Sequence, residues 1–199
     1  AAYLKLAGRD VTVSVKASVL DILGKHGLSV SGVRGEKTVK VPVTEKIDFI
    51  PDLCLVAVKT QDIQEAASAN PRALLAKTVV TTQNGLRAEE LLLEYCRPES
   101  IVSGIVMFGA TSLQPGRIVH NFEGSLVLGG YDGCPGSGVA AAEKLFSPVF
   151  SVQSAGNIKR MKLLKVFINA GNCIPAILGT TMQEAFSDLR ICRISAAVW

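Results

Sequence analysis

Two histidines, five cysteines and one tryptophan are all that 199 residues supply of the side chains that most often bind metals or form redox centres. His26 and His120 stand too far apart, and too poorly accompanied, for a metal site, and His120 reads as a structural residue within a strand. Cys54, Cys96, Cys134, Cys173 and Cys192 are odd in number, widely spaced and without a C-x-x-C pair. That spacing argues against a zinc site and a disulfide framework, and makes the cytoplasm the default compartment. Cys54, inside the apolar run Leu53 to Val58, reads as a small core residue. Charge is scattered, with 21 Lys and Arg against 17 Asp and Glu. No basic block offers a nucleic-acid footprint. No apolar stretch reads as long enough to span a membrane, and no signal peptide opens the chain. Repeats and low-complexity tracts are absent.

What is present is a core. Hydrophobic residues make up 48% and charged residues 19% of the chain, the composition of a globular protein. Asp10 to Val15 alternates as a strand should, and Leu28 to Val43 alternates again around Gly32 and Gly35 as short antiparallel strands. Leu53 to Val58 is a continuous apolar run of the kind a doubly covered parallel strand needs. A helix over Asp62 to Leu75, a strand over Thr78 to Thr82, a helix over Ala88 to Tyr95 and a strand over Ile101 to Phe108 follow. Gly116 to Asn121 and Ser125 to Gly129 read as a hairpin turning at Glu123-Gly124. Val139 to Phe146 reads as a helix, Val149 to Val152 as a strand, and the chain beyond Asn157 as largely helical. The order predicts an α/β fold, a Rossmann-like doubly wound sheet with an antiparallel extension. Residues 1–155 form that domain and residues 156–199 begin a helical one. The chain opens on what reads as the back half of a helix and stops without a helix-stop signal, as a piece of a longer protein would.

Two strand ends carry polar groups. In an open α/β sheet ligands bind beyond the carboxyl ends of the strands. Lys59 ends one apolar run and Asn84 the next, giving a cation and an amide for an anionic or carbonyl-bearing ligand; a surface lysine and a plain Asn-Gly turn are the alternatives. Lys16 closes the first strand where a cation suits the extra phosphate of NADP and an acid would suit NAD, although an ordinary solvated lysine fits as well. Lys162 and Asn169, seven residues apart, project from nearly one face of a helix that is otherwise apolar. Buried there they would need a ligand or partner, and a partly desolvated lysine can act as a general acid; a lysine snorkelling from the helix edge is the alternative. Residues 136–141 match G-x-G-x-x-A formally, but a loop separates them from the strand before and no acidic strand end follows, so they are not a dinucleotide fingerprint.

The ordered set resembles the ketopantoate reductase family. It runs from Gly8-Arg9-Asp10 to Lys16, through Pro51-Asp52-Leu53 to Lys59-Thr60, Gln83-Asn84-Gly85-Leu86 with Glu89-Glu90, and Gly109-Ala110-Thr111. It continues with Pro115-Gly116, Glu123-Gly124 and Leu128-Gly129, and ends on Lys162-Leu163-Leu164 with Phe167-Ile168-Asn169-Ala170. The resemblance implies NADPH-dependent reduction of a 2-oxo acid, 2-dehydropantoate to pantoate, on the route to pantothenate and coenzyme A. It implies Lys162 as catalytic proton donor, Asn84 in contact with cofactor and substrate, and Lys16, Lys59, Ala110 and Thr111 near NADP. Asn169 becomes a substrate ligand, and a homodimer is the implied assembly. The family's first strand and glycine-rich turn have no counterpart here, Val166 stands where an asparagine is usual, and most of the C-terminal helical domain is missing from the pattern. A complete active site needs those parts.

Overall fold

The strand-forming runs pair into three sheets. The computed structural model describes residues 1–133 and 137–198. In chain order the elements are α1 (Ala2–Leu6), β1 (Val13–Ser14), α2 (Ala17–His26), β2 (Leu28–Gly32), β3 (Lys37–Val39), β4 (Val43–Thr44), β5 (Leu53–Val56), α3 (Ile63–Ala69), β6 (Thr78–Thr81) and α4 (Ala88–Leu92). They continue with β7 (Ile101–Val106), β8 (Gly109–Gln114), β9 (Arg117–Phe122), β10 (Ser125–Gly130), α5 (Ser137–Phe146), β11 (Ser151–Ser154), α6 (Ile158–Ala170), α7 (Cys173–Leu178), α8 (Met182–Ser187) and α9 (Leu189–Val198). Cys134, Gly136 and Trp199 lie outside the described residues.

The main sheet has the order β11-β10-β7-β6-β5. β5, β6 and β7 run parallel, while β10 is antiparallel to β7 and parallel to β11. Side chains alternate between its two faces. Val80, Val102, Leu126 and Leu128 pack under α1 and α5, whereas Val79 and Ile101 pack under α3 and α4, and Ile105 and Val127 under Ile158 of α6. Each such side chain, fully buried, stabilises the fold by about 1.5–3 kcal/mol, which is why these strands read as unbroken apolar runs. Cys54 and Cys96 border the α3–α4 cluster, and burial pushes both thiols up to about 11.

β5 departs from the sequence reading. It is an edge strand, and Leu55 is 37% exposed. β1 pairs in parallel only with β4, as a separate two-stranded ribbon. Between β1 and β5 lies a slot of about 460 Å³, lined by Val11, Val13, Phe49, Leu53, Leu55 and Leu145 among others. The apolar character of Leu53 to Val58 thus serves a slot wall as well as the core.

The hairpin over Gly116 to Gly129 is also corrected. β9 joins β8 and β2 in a four-stranded sheet of order β3-β2-β9-β8, and β10 joins the main sheet instead. Burial separates the two strands. β10 is almost wholly covered, as a central strand must be, while β9 leaves half its residues exposed. The turn at Glu123-Gly124 therefore carries the chain from one sheet to the other.

An aromatic and charged cluster joins the two sheets. Arg34 donates to both Glu123 carboxylate oxygens at 2.5 and 2.6 Å and to the Val149 carbonyl at 2.5 Å. Its guanidinium lies over the rings of Tyr3 and Phe150, and the Tyr3 hydroxyl meets Nδ1 of the buried His120 at 3.1 Å. The Arg34 hydrogen bonds hold the Glu123 carboxyl below its ordinary value of 4.5. A depressed carboxylate contributes stability above its unfolded value and loses it as pH falls through the folded one. Glu123→Gln is therefore expected to lower the melting temperature at neutral pH, with the difference from wild type shrinking as the pH is taken progressively below the ordinary carboxylate value, read by thermal melts across that series.

The helical part also corrects two readings. Of α6 only Ile158 and Lys162 are buried, while Leu163, Leu164 and Phe167 are exposed, so the apolar residues do not surround the lysine. By length and composition Ile158–Leu178, 21 residues, could cross a membrane, contrary to the expectation from the sequence. Its lysines instead dock it on the sheet. Lys162 bonds Glu89, and Lys165 Nζ donates to the Val106 carbonyl at 2.6 Å.

Candidate active site

The site is built where β6 and β7 end. After Thr81 the chain leaves the sheet through Gln83, Asn84 and Gly85 and enters α4. Gly85 has φ +85°, a backbone conformation that side chains other than glycine's rarely tolerate. Gln83 is buried and ties two strand ends together. Its amide donates to the carbonyls of Val56 at 3.0 Å and Val58 at 2.7 Å, and its carbonyl accepts from the Thr81 hydroxyl. The loops bearing Lys59 and Asn84 are thus cross-braced by Gln83, which the sequence offered only as a member of the Gln83-Asn84-Gly85-Leu86 motif. Asn84 is exposed, and among the described residues its amide makes no hydrogen bond. Lys59 is exposed at the start of the 3-10 turn Thr60–Asp62, and makes no ion pair among the described residues.

Lys162 is 4% exposed, and its ammonium bonds Oε1 of Glu89, itself 4% exposed. The Ser103 hydroxyl, 2% exposed, donates to the same Oε1 at 2.8 Å. Three elements meet here. Glu89 lies in the first turn of α4, Ser103 is in β7, and Lys162 lies one turn beyond Ile158 on α6. Helix α6 starts at Asn157, whose side chain accepts from the Arg160 N–H at 3.0 Å. It approaches closely because Gly129 on β10 has no Cβ; one placed there would sit 2.7 Å from Ile158 Cβ and 2.8 Å from the Ala155 carbonyl oxygen. Lys165, next along the stripe, is held below its ordinary value, first by burial and then by the like charge of Lys162.

The remaining sequence candidates lie apart from that triad. Lys16 begins α2 and pairs with Glu65 of α3 at 3.7 Å, both side chains well exposed, an ion pair of little energetic weight. It does bring the end of β1 beside the helix that follows Lys59. Ala110 and Thr111 lie on β8 in the four-stranded sheet, where the Asn121 amide donates to the Thr111 hydroxyl at 2.9 Å. Asn169, half-buried near the end of α6, accepts from the Asn172 amide at 3.4 Å. Of the formal G-x-G-x-x-A match, residues 138–141 lie within α5; a Cβ on Gly138 would meet Val102 and Thr78. Thr78 starts β6, at the opposite end from Asn84.

Glu89 and Ser103 went unread as site residues. A signal existed: Ser103 and Gly104 interrupt the apolar run of β7, and a buried hydroxyl in a covered strand needs a partner.

Known proteins share this fold. A family model described as ketopantoate reductase PanE/ApbA matches residues 1–133. The 2-dehydropantoate 2-reductase of Archaeoglobus fulgidus is 30% identical over 199 residues, covering 99% of this chain and 66% of that protein. The structure of 2-dehydropantoate 2-reductase from Geobacter metallireducens GS-15 superposes with a TM-score of 0.87 at 21% identity, over 98% of this chain and 66% of that one. A D-mandelate dehydrogenase solved with NADH and anilino(oxo)acetate gives a TM-score of 0.80 at 22% identity, over 98% and 65%. The chain thus spans just under two thirds of each of these proteins. Its mixed α/β fold matches their Rossmann-like part, a helical portion follows, and the chain belongs to the ketopantoate reductase family.

Proposed function

We propose that the protein reduces 2-dehydropantoate to pantoate with NADPH, in the route to pantothenate and coenzyme A. The observation that carries this reading is the buried ammonium of Lys162, held near the carboxyl ends of β6 and β7 by an element that starts just after Asn84. Residues 1–155 act as the dinucleotide domain, and residues 156–199 begin a helical domain for substrate and dimerisation.

The residues present fit a nicotinamide cofactor. Two strand-end cations, Lys16 and Lys59, suit its phosphates, and the Asn84 amide, unpaired among the described residues, suits its carboxamide side or the substrate. Ala110 and Thr111 supply a further cofactor contact, and Asn169 with Asn84 binds the substrate. When bound, the reduced nicotinamide supplies a hydride to the carbonyl carbon. Lys162 then gives a proton from Nζ to the carbonyl oxygen, so that an N–H bond breaks, an O–H bond forms and a neutral amine remains to be reprotonated from solvent. Gln83 keeps the two strand-end loops in mutual register. Exposed Leu164, Phe167, Ile177 and Leu189 on the helices support a homodimer through that part. The scattered free cysteines, half-buried at Cys54 and Cys96, support a cytoplasmic setting.

A second reading, reduction of another 2-oxo acid, is favoured by the D-mandelate dehydrogenase that shares the fold. Steady-state assays of the full-length protein separate the two. NADPH consumption that depends on 2-dehydropantoate, with kcat/KM well above that for an aryl 2-oxo acid and above that with NADH, is expected. Preference for the aryl acid would select the second reading. Tight NADPH binding without turnover of any 2-oxo acid would instead make this a binding protein.

A further inference from the structure

We infer that Glu89, oriented by Ser103, is the positioning residue that presents the Lys162 ammonium to the reacting oxygen. The inference rests on the reduction proposed above and adds two residues to it. A buried ion pair is poor value as a stabiliser, because desolvating both charges offsets most of their attraction. The same face of the sheet is covered elsewhere by Ile101, Ile105 and Val127, so apolar residues could have closed this position too. Instead three polar side chains from α4, β7 and α6 converge, from positions 73 and 14 residues apart in sequence.

The bonding is directional. Glu89 Oε1 accepts from both Ser103 and Lys162, so the hydroxyl fixes the carboxylate and the carboxylate fixes the ammonium. An ammonium has three N–H donors, and among the described residues Glu89 is the one partner Lys162 has. Donors left over in a site this dry require an acceptor. A substrate carbonyl oxygen, and then the alkoxide it becomes, meets that requirement. Throughout the step Glu89 stays a carboxylate and bonds the amine that Lys162 becomes, so the reacting nitrogen keeps its place. Lys165 bonds the Val106 carbonyl and, being only half-buried, can turn its remaining donors to solvent.

The test is a double-mutant cycle in the full-length protein with Glu89→Gln, Ser103→Ala and the pair combined. Glu89→Gln keeps the side-chain shape and an oxygen for Ser103 but removes the charge. It is expected to lower kcat by about 10²-fold, leaving KM and NADPH binding within about twofold. Ser103→Ala is expected to lower kcat by about 3–10-fold, and the combined variant to be no slower than Glu89→Gln alone, because Ser103 acts through Glu89. The solvent deuterium isotope effect should rise in each variant, which a loss of folded protein would not cause. Wild-type kcat in Glu89→Gln, or effects of the two substitutions that multiply, overturns the proposal. If Glu89→Gln does not fold, Ser103→Ala decides by the same kcat and isotope readouts. If the wild type reduces no 2-oxo acid, the functional reading fails by itself. The placement is then read from the 15N–1H signal of the Lys162 ammonium, whose protection from exchange must fall in both variants, and unchanged protection overturns it.

Discussion

Lys162→Met is expected to reduce turnover by about 10²–10⁴-fold, the usual contribution of a positioned general acid, and to destabilise the fold at the same time. Methionine keeps the length and apolar stem of the lysine but removes every N–H donor. Hydride transfer would then generate an alkoxide with no proton source beside it. The stability effect has a separate origin. Glu89 is 4% exposed, and without Lys162 its side chain retains, among the described residues, the Ser103 hydrogen bond alone. Removing one member of a buried pair costs about 3–5 kcal/mol, since the remaining charge is desolvated without compensation. Urea denaturation should show that loss as a lower midpoint. Adding Glu89→Leu together with Ser103→Ala should recover most of the stability, because no buried polar group is then left without a partner, while leaving turnover as low as before. If Lys162→Met retains wild-type kcat, another group delivers the proton.

Lys162 was legible in the sequence because a lysine on an apolar helix is costly unless something satisfies it. Its partner was not, because Glu89 stands in Glu89-Glu90 near the start of a helix, a pattern that solvated helix termini share, and the contact crosses 73 positions. The parallel β5-β6-β7 core was legible from unbroken apolar runs, yet the same runs could not reveal that β5 is an edge strand. Edge and centre differ in their neighbours rather than in their residues. For the same reason β9 and β10 read as a hairpin. Both alternate, both flank a turn, and only the demand for burial sends Ser125–Gly130 into the main sheet. On α6 the error ran the other way. Its apolar residues suggested a buried helix, but the sheet covers only the stripe carrying Ile158, Lys162 and Lys165. Lys59 and Asn84 follow the ends of two paired strands, and the brace between their loops, Gln83, is a long polar side chain that sequence alone would leave in solvent.

Gly129→Ala should also have a large effect, although the substitution adds a single methyl group. Gly129 pairs with Ser103 across β10 and β7, and directly opposed residues project to the same face of a sheet. The new methyl would therefore point at the underside of α6, where Ile158 Cβ and the Ala155 carbonyl oxygen stand 2.7 and 2.8 Å away. The obstruction is backbone and a branched Cβ, neither of which can rotate aside, so α6 must lift. Lys162 lies one turn further along the same stripe and moves with it. Overpacking of this kind costs about 1–3 kcal/mol, and displacing a catalytic group by about 1 Å costs about 10²-fold in rate. Gly24→Ala is the matched control, since it lies inside α2 with only Val43 Cγ2 nearby at 3.9 Å. It should be neutral or mildly stabilising through its helix propensity. Melting temperature and kcat measured side by side should show Gly129→Ala losing both and Gly24→Ala losing neither. Equal behaviour of the two alanines would mean that the close seating of α6 on β10 does not set the position of Lys162.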